Sequence, residues 1–100
     1  MTCELMFHPD ALDEWRKLDA GIRVQLVKKL EERMENPRVP SAQLTGTKDR
    51  YKIKLRSAGY RLVYEVRDGE LVVLVVAIGK RERNAAYKTA ARRFSGGDGT

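Results

Sequence analysis

The stretch YKIKLR at residues 51–56 interleaves Lys52, Lys54 and Arg56 with Tyr51, Ile53 and Leu55. Side chains alternate across a strand, so the three cations share one face and the apolar residues share the other. Arg61 in the following GYRLVY joins the cations in either of two hairpin registers. A loop at Ala58-Gly59 sets Arg56 opposite Arg61, whereas a loop at Ser57-Ala58 sets Lys54 opposite Arg61. Positive charge gathered in this way can hold a phosphodiester and stabilise the charge that develops when it is attacked. GKRERNAAYK adds Lys80, Arg81, Arg83 and Tyr87 just downstream. RNA supplies its own nucleophile, the 2′-hydroxyl, so an enzyme that cuts it needs only cations, a proton acceptor and a proton donor. A tyrosine can be the acceptor if neighbouring cations lower its pKa from about 10. Taken alone, Tyr87 reads first as helix packing.

Other chemistries lack their residues. There is no glycine-rich phosphate loop, and Cys3 and His8 are the only cysteine and histidine, too few for a zinc site or an intrachain disulfide. His8 stands beside Pro9 and reads as local structure, while Asp13 and Glu14 read as solvated helix residues. The basic strand face also has a plainer explanation. Like charges opposed on a sheet cost about 0.2–1 kcal/mol per pair, but cations on an edge strand block edge-to-edge aggregation.

The elements that must position these residues follow from periodicity. Cys3 to Phe7 suits a short strand ended by His8-Pro9. Ala11, Leu12, Trp15 and Leu18, then Ile22, Leu26, Val27, Leu30 and Met34, recur at helical spacing around a break at Asp19-Ala20-Gly21, which predicts a helical hairpin. Asn36-Pro37 ends it, and PRVPSAQLTGTKDR reads as an exposed connection. Three antiparallel strands follow, from Tyr51, Tyr60 and Leu71, the last two joined by Asp68-Gly69. That turn pairs Val66, Tyr64 and Leu62 with Leu71, Val73 and Val75, and Val63 with Leu74. LVVLVVAI is apolar on both faces, so its strand is expected to be central and covered twice. A final helix capped near Asn84 carries Ala85, Ala86, Tyr87, Ala90, Ala91 and Phe94, with Arg92 and Arg93 complementing its C-terminus. The fold class expected is α+β: an N-terminal strand and helical hairpin on a mainly antiparallel sheet of about four strands, with a C-terminal helix. Residues 1–94 form one domain in this reading, and SGGDGT at 95–100 a disordered tail.

The totals are consistent with one such domain. The chain has 100 residues, 42% of them hydrophobic, and a net charge of +6. Residues 1–36 hold six basic and eight acidic side chains, leaving fourteen basic and six acidic in residues 37–100, a net +8. The positive field belongs to the region of the basic strand, and it favours a polyanionic partner. With no signal-like start and no apolar run long enough to span a bilayer, a cytoplasmic protein without membrane contact is expected.

ALDEWRKL, LTG, YKIKLRSAGYRLVY and VAIGKRERNAAY, in this order and spacing, closely resemble the RelE toxins of bacterial toxin–antitoxin pairs from about residue 4 to residue 94. The resemblance implies a ribosome-dependent endoribonuclease that cuts messenger RNA in the A site through the 2′-hydroxyl, with no metal or other cofactor. Residue by residue it implies that Lys52, Lys54 and Arg61 hold the phosphate, that Arg81 stabilises or protonates the leaving 5′-oxygen and that Tyr87 is the general base. Lys48, Arg50, Arg56, Lys80 and Arg83 are expected to make further RNA contacts. Thr45 stands before Gly46 where the family often has a basic residue, a loss that Lys48 or Arg50 could make good. An acidic or amphipathic RelB-like antitoxin that wraps the toxin is implied as partner, with operator DNA contacted only through it. Two other readings stay open: a same-fold toxin acting on DNA gyrase, and a non-catalytic RNA-binding module. The module reading is weakened because Tyr60 and Tyr64 fall on the apolar side, away from any base-stacking surface.

Overall fold

A computed structural model of the chain describes residues 4–47, 49–67, 72–80 and 85–93. Lys48, Asp68, Gly69, Arg81, Arg83, Asn84, Phe94 and the expected tail at 95–100 lie outside the described residues. The chain runs β1 (Glu4–Phe7), α1 (Pro9–Arg16), α2 (Ala20–Glu35), a 3-10 turn (Pro40–Ala42), β2 (Arg50–Leu55), β3 (Tyr60–Arg67), β4 (Val72–Lys80) and α3 (Ala85–Ala91). The sheet order is β1-β4-β3-β2, with β1 parallel to β4 and the other pairs antiparallel. This is the expected α+β arrangement, with β4 central. Among the described residues, no helix is long and apolar enough to cross a membrane.

α1 starts where proline permits it, with Pro9 in the first turn and His8 Nδ1 accepting from the Asp10 amide at 3.1 Å. His8 is thus committed to capping. The break between α1 and α2 falls at Lys17–Asp19, slightly earlier than the sequence suggests, and Gly21 lies inside α2. Arg23 Nη1 donates to the Leu18 carbonyl at 2.6 Å and to the Arg16 carbonyl at 3.2 Å, satisfying carbonyls that the end of α1 leaves unpaired. The inner positions Ala11, Leu18, Leu26 and Leu30 pack on one face of the sheet with Ile53, Leu55, Leu62, Tyr64, Val66, Val73, Val75 and Ile78. Val27, part of the apolar periodicity, stays 38% exposed. The connection after α2 is not wholly exposed, since Ala42 is buried and Arg38 pairs with Asp49 at 3.0 Å.

The pairing of β3 with β4 departs from the two-residue turn expected at Asp68-Gly69. Val66 pairs with Val73 and Tyr64 with Val75, two residues further along β4 than that turn would give. A shift of two preserves which side chains face which way, so the apolar face survives. A bulge at Val63/Tyr64 then passes over Val76, and Val63 pairs with Ala77 and Leu62 with Ile78. Val76 and Ala77 consequently join one cluster with Val63, Val72, Leu74, Ala86 and Ala90 under α3, while Ile78 turns to the α1–α2 side. Both faces of β4 are therefore covered.

Candidate active site

The β2–β3 hairpin adopts the second of the two registers open to it. Lys54 pairs with Arg61, Lys52 with Val63 and Ile53 with Leu62. The turn Arg56–Gly59 is closed by the Gly59 amide donating to the Arg56 carbonyl at 3.3 Å, with Gly59 at φ +71°, where glycine meets no Cβ penalty. Tyr51, Ile53 and Leu55 are buried below the sheet, and Lys52, Lys54 and Arg61 remain partly exposed above it. The three cations assigned to the phosphate are thus brought together. A cleft of about 230 Å³ opens at this end of the hairpin, lined by Lys54, Leu55, Arg56, Gly59, Tyr60 and Arg61. Arg56 itself is exposed in the turn.

Crowding of like charge is felt by Lys54. Lys52 first, then Arg61, desolvation and Arg56, hold its ammonium below the ordinary value of 10.5, because each nearby cation disfavours another charge. Replacing Lys52 by alanine removes the largest of these influences. In Lys52→Ala the Lys54 pKa is expected to rise toward 10.5, read from the Nζ chemical shift during an NMR titration; no upward movement would show that the two ammonium groups do not share a field.

α3 lies across the same face. Its Ala86 and Ala90 are buried against Val63, Val76 and Ala77, and Tyr87 packs beside them. The Arg61 guanidinium carbon sits 5.6 Å from the Tyr87 ring centroid, a cation–π contact. The Tyr87 hydroxyl is buried and has no hydrogen-bond partner among the described residues. Buried hydroxyls without a protein partner are uncommon, and a catalytic role is one of the explanations such a group invites.

Two of the expected RNA contacts sit elsewhere. Lys80 pairs directly with Tyr60, which packs toward the α1–α2 core, so after the bulge it shares the side of Tyr60 rather than that of Lys54. Arg50 turns to Glu65 at 3.1 Å and to the carbonyls of Ala90 and, at 2.6 Å, Arg93. Its guanidinium serves α3 and not the open cleft. Arg81, Arg83 and Lys48 lie outside the described residues. Glu14, read from sequence as solvated, accepts from the Ile78 amide at 3.0 Å and from Arg93 at 2.9 and 3.0 Å. Arg33 carries no sequence signal at all: it donates to the Lys52 carbonyl at 3.0 Å and to Tyr64 Oη at 2.9 Å, tying the basic strand to α2. An arginine on a helix looks the same in sequence whether it points to water or across a sheet.

A sheet bearing a cation cluster under a short C-terminal helix defines the class. The chain belongs to the toxins of type II toxin–antitoxin systems: the family described as the ParE toxin of type II toxin-antitoxin system, parDE, matches residues 5–85. Within that class it is a RelE-type chain. It is 54% identical over 94 residues to the mRNA interferase toxin RelE of Escherichia coli K12, covering 94% of this chain and 99% of that one. The free E. coli RelE carrying R81A/R83A superimposes with a TM-score of 0.87 at 49% identity, covering 95% of this chain and all of that one. RelE in the intact E. coli RelBE toxin–antitoxin complex is 54% identical, with a TM-score of 0.77 over 81% of this chain and 99% of that one.

Proposed function

We propose that this protein is the toxin of a toxin–antitoxin pair and cleaves messenger RNA on the face formed by Lys52, Lys54 and Arg61. The observation that carries the reading is that Arg61, paired with Lys54 across the hairpin and on the same face as Lys52, lies against the ring of Tyr87, whose hydroxyl has no protein partner among the described residues. The mRNA interferase activity named for the 54% identical E. coli relative supports the same substrate here.

In the reaction proposed, the RNA 2′-oxygen attacks the adjacent phosphorus and displaces the 5′-oxygen, leaving a 2′,3′-cyclic phosphate. The proton leaves O2′ for a base, assigned to Tyr87, and solvent water protonates the departing O5′. Lys52, Lys54 and Arg61 stabilise the extra negative charge on the phosphorus oxygens, a contribution that needs positioned cations and no covalent step by the protein. Arg81 is assigned to the leaving oxygen. A guanidinium with pKa above 12 acts there by charge more readily than by giving up a proton. Arg56 is assigned to backbone contacts nearby.

The finer assignments are cleavage in the ribosomal A site, a cytoplasmic location and a RelB-like antitoxin as partner. The A-site and antitoxin assignments rest on the RelE resemblance, and the complex of E. coli RelE with RelB supports the second of them; the location rests on the single cysteine, which suits a reducing compartment. The competing reading is a same-fold toxin that acts on DNA gyrase. The toxin family's match ends at residue 85, short of Tyr87, and a shared fold does not fix function. The match to RelE leaves only six of the 100 residues outside it and so extends past Tyr87. Incubating the protein with message, with and without programmed ribosomes, and separately with gyrase and relaxed plasmid, separates the two. The expected result is message cut only with ribosomes and supercoiling untouched; intact message with blocked gyrase would overturn the proposal.

A further inference from the structure

α3 is a poor helix by its own means. It has seven residues, Ala85–Ala91, too few to be stable in isolation, and its two fully buried side chains are the alanines 86 and 90. Apolar burial of two methyl groups holds a helix weakly, yet this helix must fix Tyr87 over Arg61. Two arginines clasp its C-terminal end. Arg50, from β2, donates to the Ala90 carbonyl and to the Arg93 carbonyl at 2.6 Å, while its Nε is held by Glu65 at 3.1 Å. These acceptors are carbonyls at and just beyond the last turn: Ala90's also takes the Arg93 amide at 3.0 Å, so Arg50 reinforces the turn that closes the helix. Arg93 continues the clasp onto α1. It makes a two-pronged pair with Glu14 at 2.9 and 3.0 Å, donates to the Val76 carbonyl at 2.9 Å and lies 4.0 Å from Asp10. Glu14 is itself fixed by the Ile78 amide, and the Arg93 and Glu65 side chains are only 15% and 14% exposed. Planar guanidinium–carboxylate pairs of this kind set direction as well as charge.

We propose that Glu14, Arg93 and Arg50 are positioning residues for Tyr87: they anchor the end of α3 to α1 and the sheet, and so hold the tyrosine, one turn before Ala90, over the cation face. The inference rests on the reading that Tyr87 takes part in cleavage. None of the three has to touch RNA for this role, and the clasp accounts for three charged residues whose side chains turn away from the cleft.

The test is a double-mutant cycle on ribosome-dependent cleavage by the full-length protein. Arg93→Ala and Glu14→Gln are each combined with Tyr87→Ala, and amide hydrogen exchange is followed across residues 85–93 and β4. Glutamine keeps an acceptor for the Ile78 amide while discarding the charge. Arg93→Ala is expected to lower kcat by about 10- to 100-fold with KM little changed, as misplacement of a reacting group does. Exchange should quicken in α3 while β4 stays protected, Arg93→Lys should recover part of the rate, and adding Arg93→Ala to Tyr87→Ala should cost nothing more. If Tyr87→Ala slows cleavage but the Arg93 loss is absent, or multiplies with it, the clasp has no positioning role and the inference is overturned while the Tyr87 reading stands. If Tyr87→Ala cleaves as fast as the wild type, the reading of Tyr87 fails and the inference falls with it. Loss of β4 protection in both variants would make the clasp a global fold element and would also overturn it.

Discussion

Replacing Arg61 by alanine is expected to slow messenger cleavage by about 10²–10³-fold in kcat, the scale of losing one preorganised donor to a developing oxyanion. Two features of its position make Arg61 the most exacting of the three cations. It is directly opposite Lys54 in the hairpin, and its guanidinium carbon lies 5.6 Å from the Tyr87 ring centroid, so it touches both the charge cluster and the group assigned as base. Removing it also relieves repulsion at Lys54, whose ammonium is depressed by Lys52 first and Arg61 second. The fold therefore has little reason to suffer, because like charges opposed on a sheet are destabilising to begin with. Loss of rate with an unchanged melting temperature is the outcome expected. A variant that melts early, or one that cleaves at the wild-type rate, would remove Arg61 from the site.

The second large effect is on stability. Tyr64 is wholly buried, stacks on Tyr51 with ring centroids 5.6 Å apart, donates to the Pro37 carbonyl at 2.7 Å and accepts from Arg33 at 2.9 Å. Burial pushes its phenol above the usual value of 10.0, against the opposing pull of Arg33, so it remains a donor. Tyr64→Ala is expected to cost about 3–5 kcal/mol, comparable with other buried aromatic truncations, and urea unfolding measures it directly. Such a loss is a large part of the total for a domain of this size. Part of it comes from the polar groups left behind, as the Pro37 carbonyl loses its donor and Arg33 one of its two acceptors. Because Arg33 also holds the Lys52 carbonyl at 3.0 Å, the damage reaches the basic strand. A cost below about 1 kcal/mol, typical of surface substitutions, would mean that this network contributes little.

Much of this arrangement is legible in the residues. Alternation in YKIKLR separates an apolar from a basic face, and the unbroken apolar run from Leu71 to Ile78 marks the doubly covered central strand, because both signals come from local periodicity. The bulge at Val63/Tyr64 is not legible, since skipping Val76 exchanges one small apolar residue for another in a strand apolar throughout. It matters all the same, because it moves Lys80 to the side of Tyr60. The Glu14–Arg93 and Arg50–Glu65 pairs are equally silent in sequence: they join residues 79 and 15 positions apart, and charged side chains carry no period that distinguishes a clasp from a solvated surface. What sequence misses at this site is the long-range polar bonding that holds the basic strand to α2 and α3 to the sheet.

In the function proposed, the basic face directs the RNA's own 2′-hydroxyl against the neighbouring phosphate within a ribosome-bound codon. Mapping RNA ends after reaction on ribosomes programmed with a defined message, one copy of it 2′-deoxy at the nucleotide before the cut, tests this directly. The expected result is a single break inside the A-site codon ending in a 2′,3′-cyclic phosphate, none without ribosomes, and none in the 2′-deoxy message. Cutting of the 2′-deoxy message at the same position would contradict it.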